Sequence, residues 1–188
     1  AKYFDIPIQH ISDVVLKRMN RRTNKKQITN LIRKIRKAIP NVTIRTTLIV
    51  GFPGETKEEF QELLDFVKEA KFDKLGAFQY SKEEGTPAAK LPNQIHGNTK
   101  KSRYNKIMLE QQKISKEILK RKIGKTYEVL IEEMSFDNSF YIGRTMQDVP
   151  EIDGIVYIKN KTQKNLVNSF AKCKVVDVKD YDLIAELI

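Results

Sequence analysis

One cysteine, Cys173, stands in 188 residues, and only two histidines, His10 and His96, accompany it. A lone thiol forms no internal disulfide and cannot by itself ligate an iron-sulfur cluster, and so thin a set of ligands argues against a structural zinc site. No run approaches the roughly 18 to 20 apolar residues that a membrane span requires. The opening "AKYFDIPIQH" also lacks the basic, apolar, small-residue order of a signal peptide. A cytoplasmic location and no membrane partner are therefore expected. What is present is ordinary for a soluble globular chain: 40% apolar and 31% charged residues, in a length that suits one large domain or two small ones.

The net charge of +11 is unevenly spread. Residues 1–98 carry 18 Lys/Arg against 11 Asp/Glu, residues 99–123 carry 9 against 2, and residues 124–188 carry 8 against 11. The basic excess suits a polyanion such as RNA, or else a set of solvated helix faces. The last segment is acidic and suits a basic protein partner better than phosphates.

Three apolar runs, "KYFDIPIQH", "VTIRTTLIV" and "KLGAFQY", alternate with helical patterns. Ser12 is placed to cap "DVVLKRM". In "NKKQITNLIRKIRKAI", Ile28, Leu31, Ile32, Ile35 and Ile39 form one stripe, and "KEEFQELLDFVKEA" turns Phe60, Leu63, Leu64 and Val67 inward. This order predicts parallel βα units. "SKEEGTPAAKLPNQIHGN" reads as a long functional loop, and Thr99 to about Lys122 as one basic helix ended by Gly124. From Lys125 the period changes to two, in "YEVLIEEM", "FYIGRT", "GIVYIKN" and "AKCKVVDVK", which predicts a small OB-like barrel of about five strands. Three parallel strands alone are an incomplete α/β unit with bare edges, so the chain is expected to be the C-terminal part of a longer protein.

The stretch "TTLIVGFPGET" joins a strand to a glycine-bent turn and a helix start, with Thr56 and Glu59 at capping-box spacing. Gly51, Phe52, Pro53, Gly54 and Glu55 lie where α/β proteins often place a ligand, yet the sequence is neither GxxxxGK(S/T) nor GxGxxG. Either this is a ligand wall or it is a tight βα turn whose Glu55 complements the helix dipole. Arg45, in an apolar strand, reaches a ligand carboxylate or forms a structural ion pair. Gln9, His10 and Tyr80 end strands at the same rim, with packing roles as the alternative. In the barrel, Arg144, Asp148, Glu151 and Asp153 cluster in "IGRTMQDVPEIDG".

"YFDIPIQH", "RTTLIVGFPGET", "FQYSKEEGTPAA" and above all "IGRTMQDVPEIDGIVYI" resemble the C-terminal part of the methylthiotransferases, a family of radical S-adenosylmethionine enzymes. One subfamily modifies an isopentenylated adenosine of transfer RNA, the other an aspartate of small-subunit ribosomal protein 12. "IPIQH" and "GRTMQDVPEIDG" resemble the ribosomal-protein subfamily. The resemblance implies the end of a partial radical SAM (βα) barrel over residues 1–98, a linking basic helix over 99–123 and a TRAM barrel over 124–188. It implies S-adenosylmethionine and 4Fe-4S clusters as cofactors, with the Cys-x3-Cys-x2-Cys ligands outside this chain, which alone should be inactive. It implies a reaction in which hydrogen is abstracted from the target carbon before sulfur is inserted and methylated.

By motif position, Gly51, Phe52, Pro53 and Gly54 would lie along the adenine, with Glu55 closing the motif. Gln9 and His10 would stand near ribose or substrate, Arg45 would pair with the methionine carboxylate, and Tyr80 would border the adenosyl pocket. The TRAM barrel, with its Arg144, Asp148, Glu151 and Asp153 loop, would dock the basic ribosomal protein, and the basic helix could touch ribosomal or transfer RNA. A transfer RNA methylthiotransferase and a non-catalytic RNA- or protein-binding module are the competing readings.

Overall fold

Thr56 and Glu59 do what their spacing predicts. In the computed structural model, which describes residues 2–160 and 165–188, the Thr56 hydroxyl accepts the Glu59 N–H and the Glu59 carboxylate accepts the Thr56 N–H. This capping box satisfies two orphan donors at once and starts a helix at Lys57. Asn24 and Gln27 form a second box at the head of the preceding helix.

The chain forms two compact units, Phe4–Gln111 and Gln112–Ile188 with the first residues. In the first, the order is β1 (Tyr3–Asp5), α1 (Asp13–Arg18), α2 (Lys25–Ala38), β2 (Thr43–Val50), α3 (Lys57–Ala70) and β3 (Lys74–Gln79), followed by a short 3-10 turn at Pro87–Lys90 and α4 (Gly97–Lys120). The sheet runs β1-β2-β3, with β2 and β3 parallel in a register from Arg45 opposite Lys74 to Val50 opposite Gln79. β1 is shorter than the predicted "KYFDIPIQH". Pro7 has no N–H for the ladder, and pairing resumes only at a bridge between Gln9 and Leu48. Ser12 sits at the cap of α1 without accepting a side-chain bond.

Along β2, Thr46, Leu48 and Val50 are buried while Arg45, Thr47 and Ile49 are half-buried, so the strand presents two unlike faces. α2 buries Ile28 and Ile32, and α3 buries Phe60, Leu63, Phe66, Val67 and Ala70. α4 starts two residues before the predicted Thr99. It is continuous across the division between the units, which falls between Gln111 and Gln112.

In the second unit, β4 (Thr126–Met134), β5 (Phe140–Thr145), β6 (Val156–Lys159), β7 (Ser169–Val178) and β8 (Leu183–Leu187) close into a barrel in the order β4-β5-β6-β8-β7. All neighbours are antiparallel except β6 and β8. Register shifts at Ile131/Glu133 in β4 and Val175/Asp177 in β7 supply the local bend that closure of so small a sheet needs. Val129, Ile131, Tyr141, Val156, Ile158, Cys173, Val175, Leu183 and Ala185 fill the interior. Gly143 is glycine because an added Cβ would run into the Leu130 carbonyl of the neighbouring strand.

Candidate functional site

The carboxyl ends of β2 and β3 carry the turn Gly51–Glu55 and Tyr80. Glu55 is 2% exposed, and its carboxylate folds back on its own turn. Oε2 accepts the N–H of Gly51 and that of Phe52, the latter at 3.1 Å. Gly54 N–H goes to the Asn93 carbonyl and Glu55 N–H to the Phe52 carbonyl, both at 2.9 Å. Every N–H of the turn is thus taken by protein, and proline has none. A phosphate would find no free backbone N–H in the turn, which argues against the anion-cradling use of a glycine turn. The carbonyls of Gly51 and Pro53 accept nothing among the described residues, so the turn offers acceptors and apolar surface.

Two arginines grip the turn. Arg18 of α1 donates to the Gly54 carbonyl at 2.8 Å and pairs with Glu59 at 3.1 Å. Arg103 of α4, 9% exposed, donates to the Glu55 carbonyl at 3.0 Å and lies 3.1 Å from its Oε1. Burial pushes the Glu55 carboxyl above its ordinary value, against the pull of Arg103 and of the two backbone N–H groups. Gly51 has a φ of +72°, and an added Cβ would strike the Lys100 side chain, which lies across it. Protein packing is therefore sufficient reason for a glycine at this position.

Tyr80 follows β3 and donates its N–H to the Val50 carbonyl at 2.9 Å. Its own carbonyl accepts Lys100 Nζ at 2.8 Å, with that ammonium 4.9 Å from the ring centroid, and Phe52 meets the ring edge-on at 5.1 Å. The Tyr80 hydroxyl is buried with no hydrogen-bond partner among the described residues. Such an orphan is costly in a finished interior, and a hydrogen-bonding group of a bound molecule would satisfy it.

The other expected residues are placed less uniformly. His10 is fully buried, and its Nδ1 accepts the Ser12 N–H at 3.0 Å. Burial first, then the charges of Arg103 and Arg18, lower its pKa to about 3, so the ring is neutral with a proton on Nε2. Gln9, at φ 67°, is half-buried beside β2. Arg45 lies at the amino end of β2, five residues before the rim, and pairs with Asp5 at 3.7 Å.

In the barrel loop, Asp148 accepts the Thr145 hydroxyl at 2.6 Å and its N–H at 3.2 Å, while Asp153 accepts the Val149 N–H at 2.9 Å. Arg144 pairs with Glu132 at 2.7 Å, and Glu151 is exposed at φ 63°. Cys173 is buried in the barrel, which raises its thiol to about 11. Among the described residues no group of three or more His, Cys, Asp or Glu could hold a metal ion, and no helix is long and apolar enough to cross a membrane. Arg18, Lys100 and Arg103 are the site residues that the sequence reading missed.

A parallel strand ending in this carboxylate-braced turn, with a closed five-stranded barrel following, agrees with what comparison with known proteins finds. Residues 1–67 match the Radical SAM superfamily and residues 123–188 match the TRAM domain, so the chain is of the class that joins the two. It is 62% identical over 187 residues to the ribosomal protein uS12 methylthiotransferase RimO of Alkaliphilus oremlandii, covering 100% of this chain and 43% of that protein. Its identity to the proteins of the same name is 54% over 185 residues in Clostridium botulinum and 53% over 188 residues in Clostridioides difficile. These matches cover 98% and 100% of this chain, and 41% and 42% of the respective relatives. The chain thus carries a Radical SAM match and a TRAM match, is similar throughout to proteins named ribosomal protein uS12 methylthiotransferase RimO, and spans about two fifths of the length of the curated relatives it matches.

Proposed function

We propose that this chain is the part of a ribosomal-protein methylthiotransferase that walls the S-adenosylmethionine site and docks the protein substrate, an enzyme that places a methylthio group on an aspartate of ribosomal protein uS12. The observation that carries the reading is similarity to proteins of that name through the whole chain, turn and barrel alike. When bound, S-adenosylmethionine would supply, on one-electron reduction by the cluster held elsewhere in the protein, the radical that takes hydrogen from the target carbon, and a separate molecule of it would supply the methyl group. Gly51, Phe52, Pro53 and Gly54 border the adenine through the Gly51 and Pro53 carbonyls and through apolar surface. Glu55 fixes the turn, and the orphaned Tyr80 hydroxyl is available to the adenosyl group.

Gln9 stands at the strand end where ribose or substrate approaches, followed by His10, neutral and buried. Arg45 is the cation for the methionine carboxylate, exchanging Asp5 for it. A 4Fe-4S cluster does not fit this chain, whose one thiol is buried and alone. Its ligands are assigned to the remainder of the protein, and residues 1–188 alone are inactive in this reading.

The acidic barrel receives the basic protein. In its loop Asp148 and Asp153 hold the shape, Arg144 on β5 pairs with Glu132 of β4 beside it, and exposed Glu151 makes contact. Exposed lysines of α4 are left for RNA, and the enzyme works in the cytoplasm. Mass spectrometry of uS12 and of transfer RNA nucleosides from a strain deleted for the gene tests the assignment. Loss of one methylthio group from uS12, with transfer RNA unchanged, is expected. An unmodified adenosine with intact uS12 modification would instead assign the transfer RNA reaction.

A further inference from the structure

The far side of the turn is held by Asn93 and Arg18 at Gly54, and its near side by the Glu55 carboxylate, which accepts both the Gly51 and Phe52 N–H groups from a site where burial disfavours its charge. A neutral carboxyl would be a poorer acceptor, and its own proton would compete for the same space. The charge that opposes burial comes from Arg103, which reaches both the carboxylate and the backbone carbonyl of the same residue. Its guanidinium also lies 5.4 Å from the Phe60 ring centroid, so it is held in place from a second side. One turn earlier on α4, Lys100 covers Gly51 and ties the Tyr80 carbonyl. Both residues belong to the same compact unit as the turn.

We infer that Arg103 is a positioning residue for the cofactor-facing turn: by pairing with buried Glu55 it fixes the Gly51 and Phe52 peptides, and with them the carbonyls turned toward S-adenosylmethionine. This rests on the proposed reading of the turn as the adenine wall. It also reassigns part of the basic character of α4, because Arg103 and Lys100 are used internally and are not free for RNA.

The test takes Arg103→Gln, Arg103→Lys and, as a control on the exposed face of α4, Lys101→Gln. Hydrogen exchange at the Gly51 and Phe52 amides is read in the 188-residue chain, and equilibrium binding of S-adenosylmethionine in the full-length enzyme. In Arg103→Gln the two amides should exchange about tenfold faster or more, with the amides of the barrel unchanged. S-adenosylmethionine should bind about tenfold more weakly, with a smaller change in kcat at saturation. Arg103→Lys should recover part of both, and Lys101→Gln should change neither. Unaltered amides in Arg103→Gln would overturn the inference. Faster amides with unchanged S-adenosylmethionine affinity would leave Arg103 as a brace but overturn the turn as the cofactor wall, and with it the positioning role. If Arg103→Gln does not fold, the same two readings in Arg103→Lys decide: a graded loss in both supports the inference, and parental values overturn it.

Discussion

The turn after β2 and the tip between β4 and β5 are braced by the same device, a carboxylate that accepts hydrogen bonds from its own loop. Glu55 takes the N–H groups of Gly51 and Phe52, and Asp137 takes the hydroxyls of Ser135 and Ser139 with the Ser139 N–H. The outcomes are opposite. Asp137 is exposed, and its hydrogen bonds lower it to about 2. Glu55 is buried, and desolvation raises it despite two N–H donors and an arginine. The same local geometry therefore makes a self-sufficient surface loop in one unit and, in the other, a site that depends on a cation from a distant helix.

That contrast is open to attack at several places. The largest expected effect is at His10, whose folded pKa of about 3 lies below its ordinary 6.5. A depressed histidine contributes stability that is complete above pH 6.5 and lost as pH falls toward 3. The loss is on the order of 5 kcal/mol if the ring stays buried. Glu55 runs the other way, since a raised carboxyl favours the fold below its ordinary value and loses that contribution as pH rises. Urea unfolding of the parent chain and of His10→Asn across this range separates the two. The variant should be flatter between pH 6.5 and 4, and equal slopes would mean that His10 titrates freely.

Next comes Glu55→Ala, which leaves Arg103 buried and unpaired and should cost the α/β unit about 3 to 4 kcal/mol. A loss below about 1 kcal/mol, the range of exposed pairs, would show that the pair is not desolvated. Gly143→Ala strikes the Leu130 carbonyl in the barrel wall and should cost about 1 to 3 kcal/mol, read as a lower unfolding temperature with the Gly51 and Phe52 amides still protected. Smallest is Asp137→Asn. Stability there is present above pH 3.8 and lost as pH falls through about 2, so the variant should differ from the parent in acid slope only within that window.

Local signals in the sequence carried most of the fold. The Thr56 and Glu59 box, the glycine turn and the change of period at Lys125 each depend on residues within a few positions of one another. They predicted the helix, the parallel strand and the barrel. β8 was not separately marked, because "LIAELI" has no clean alternation and reads equally as helix. Arg103 was invisible for a different reason. It lies 48 residues from Glu55, inside a helix whose abundant lysines disguise one buried cation among many exposed ones. For Arg45 the open choice between ligand and ion pair meets an ion pair with Asp5. In the barrel loop, Asp148 and Asp153 turn inward to their own backbone, which composition does not reveal.

The proposed division of labour gives the α/β unit the cofactor and the acidic barrel the basic protein. Equilibrium binding of the 188-residue chain to purified uS12 and to transfer RNA, over a series of salt concentrations, tests it most directly. The account predicts binding to uS12 that weakens with salt and no comparable binding to transfer RNA. Tight, salt-sensitive binding to transfer RNA with none to uS12 would contradict it.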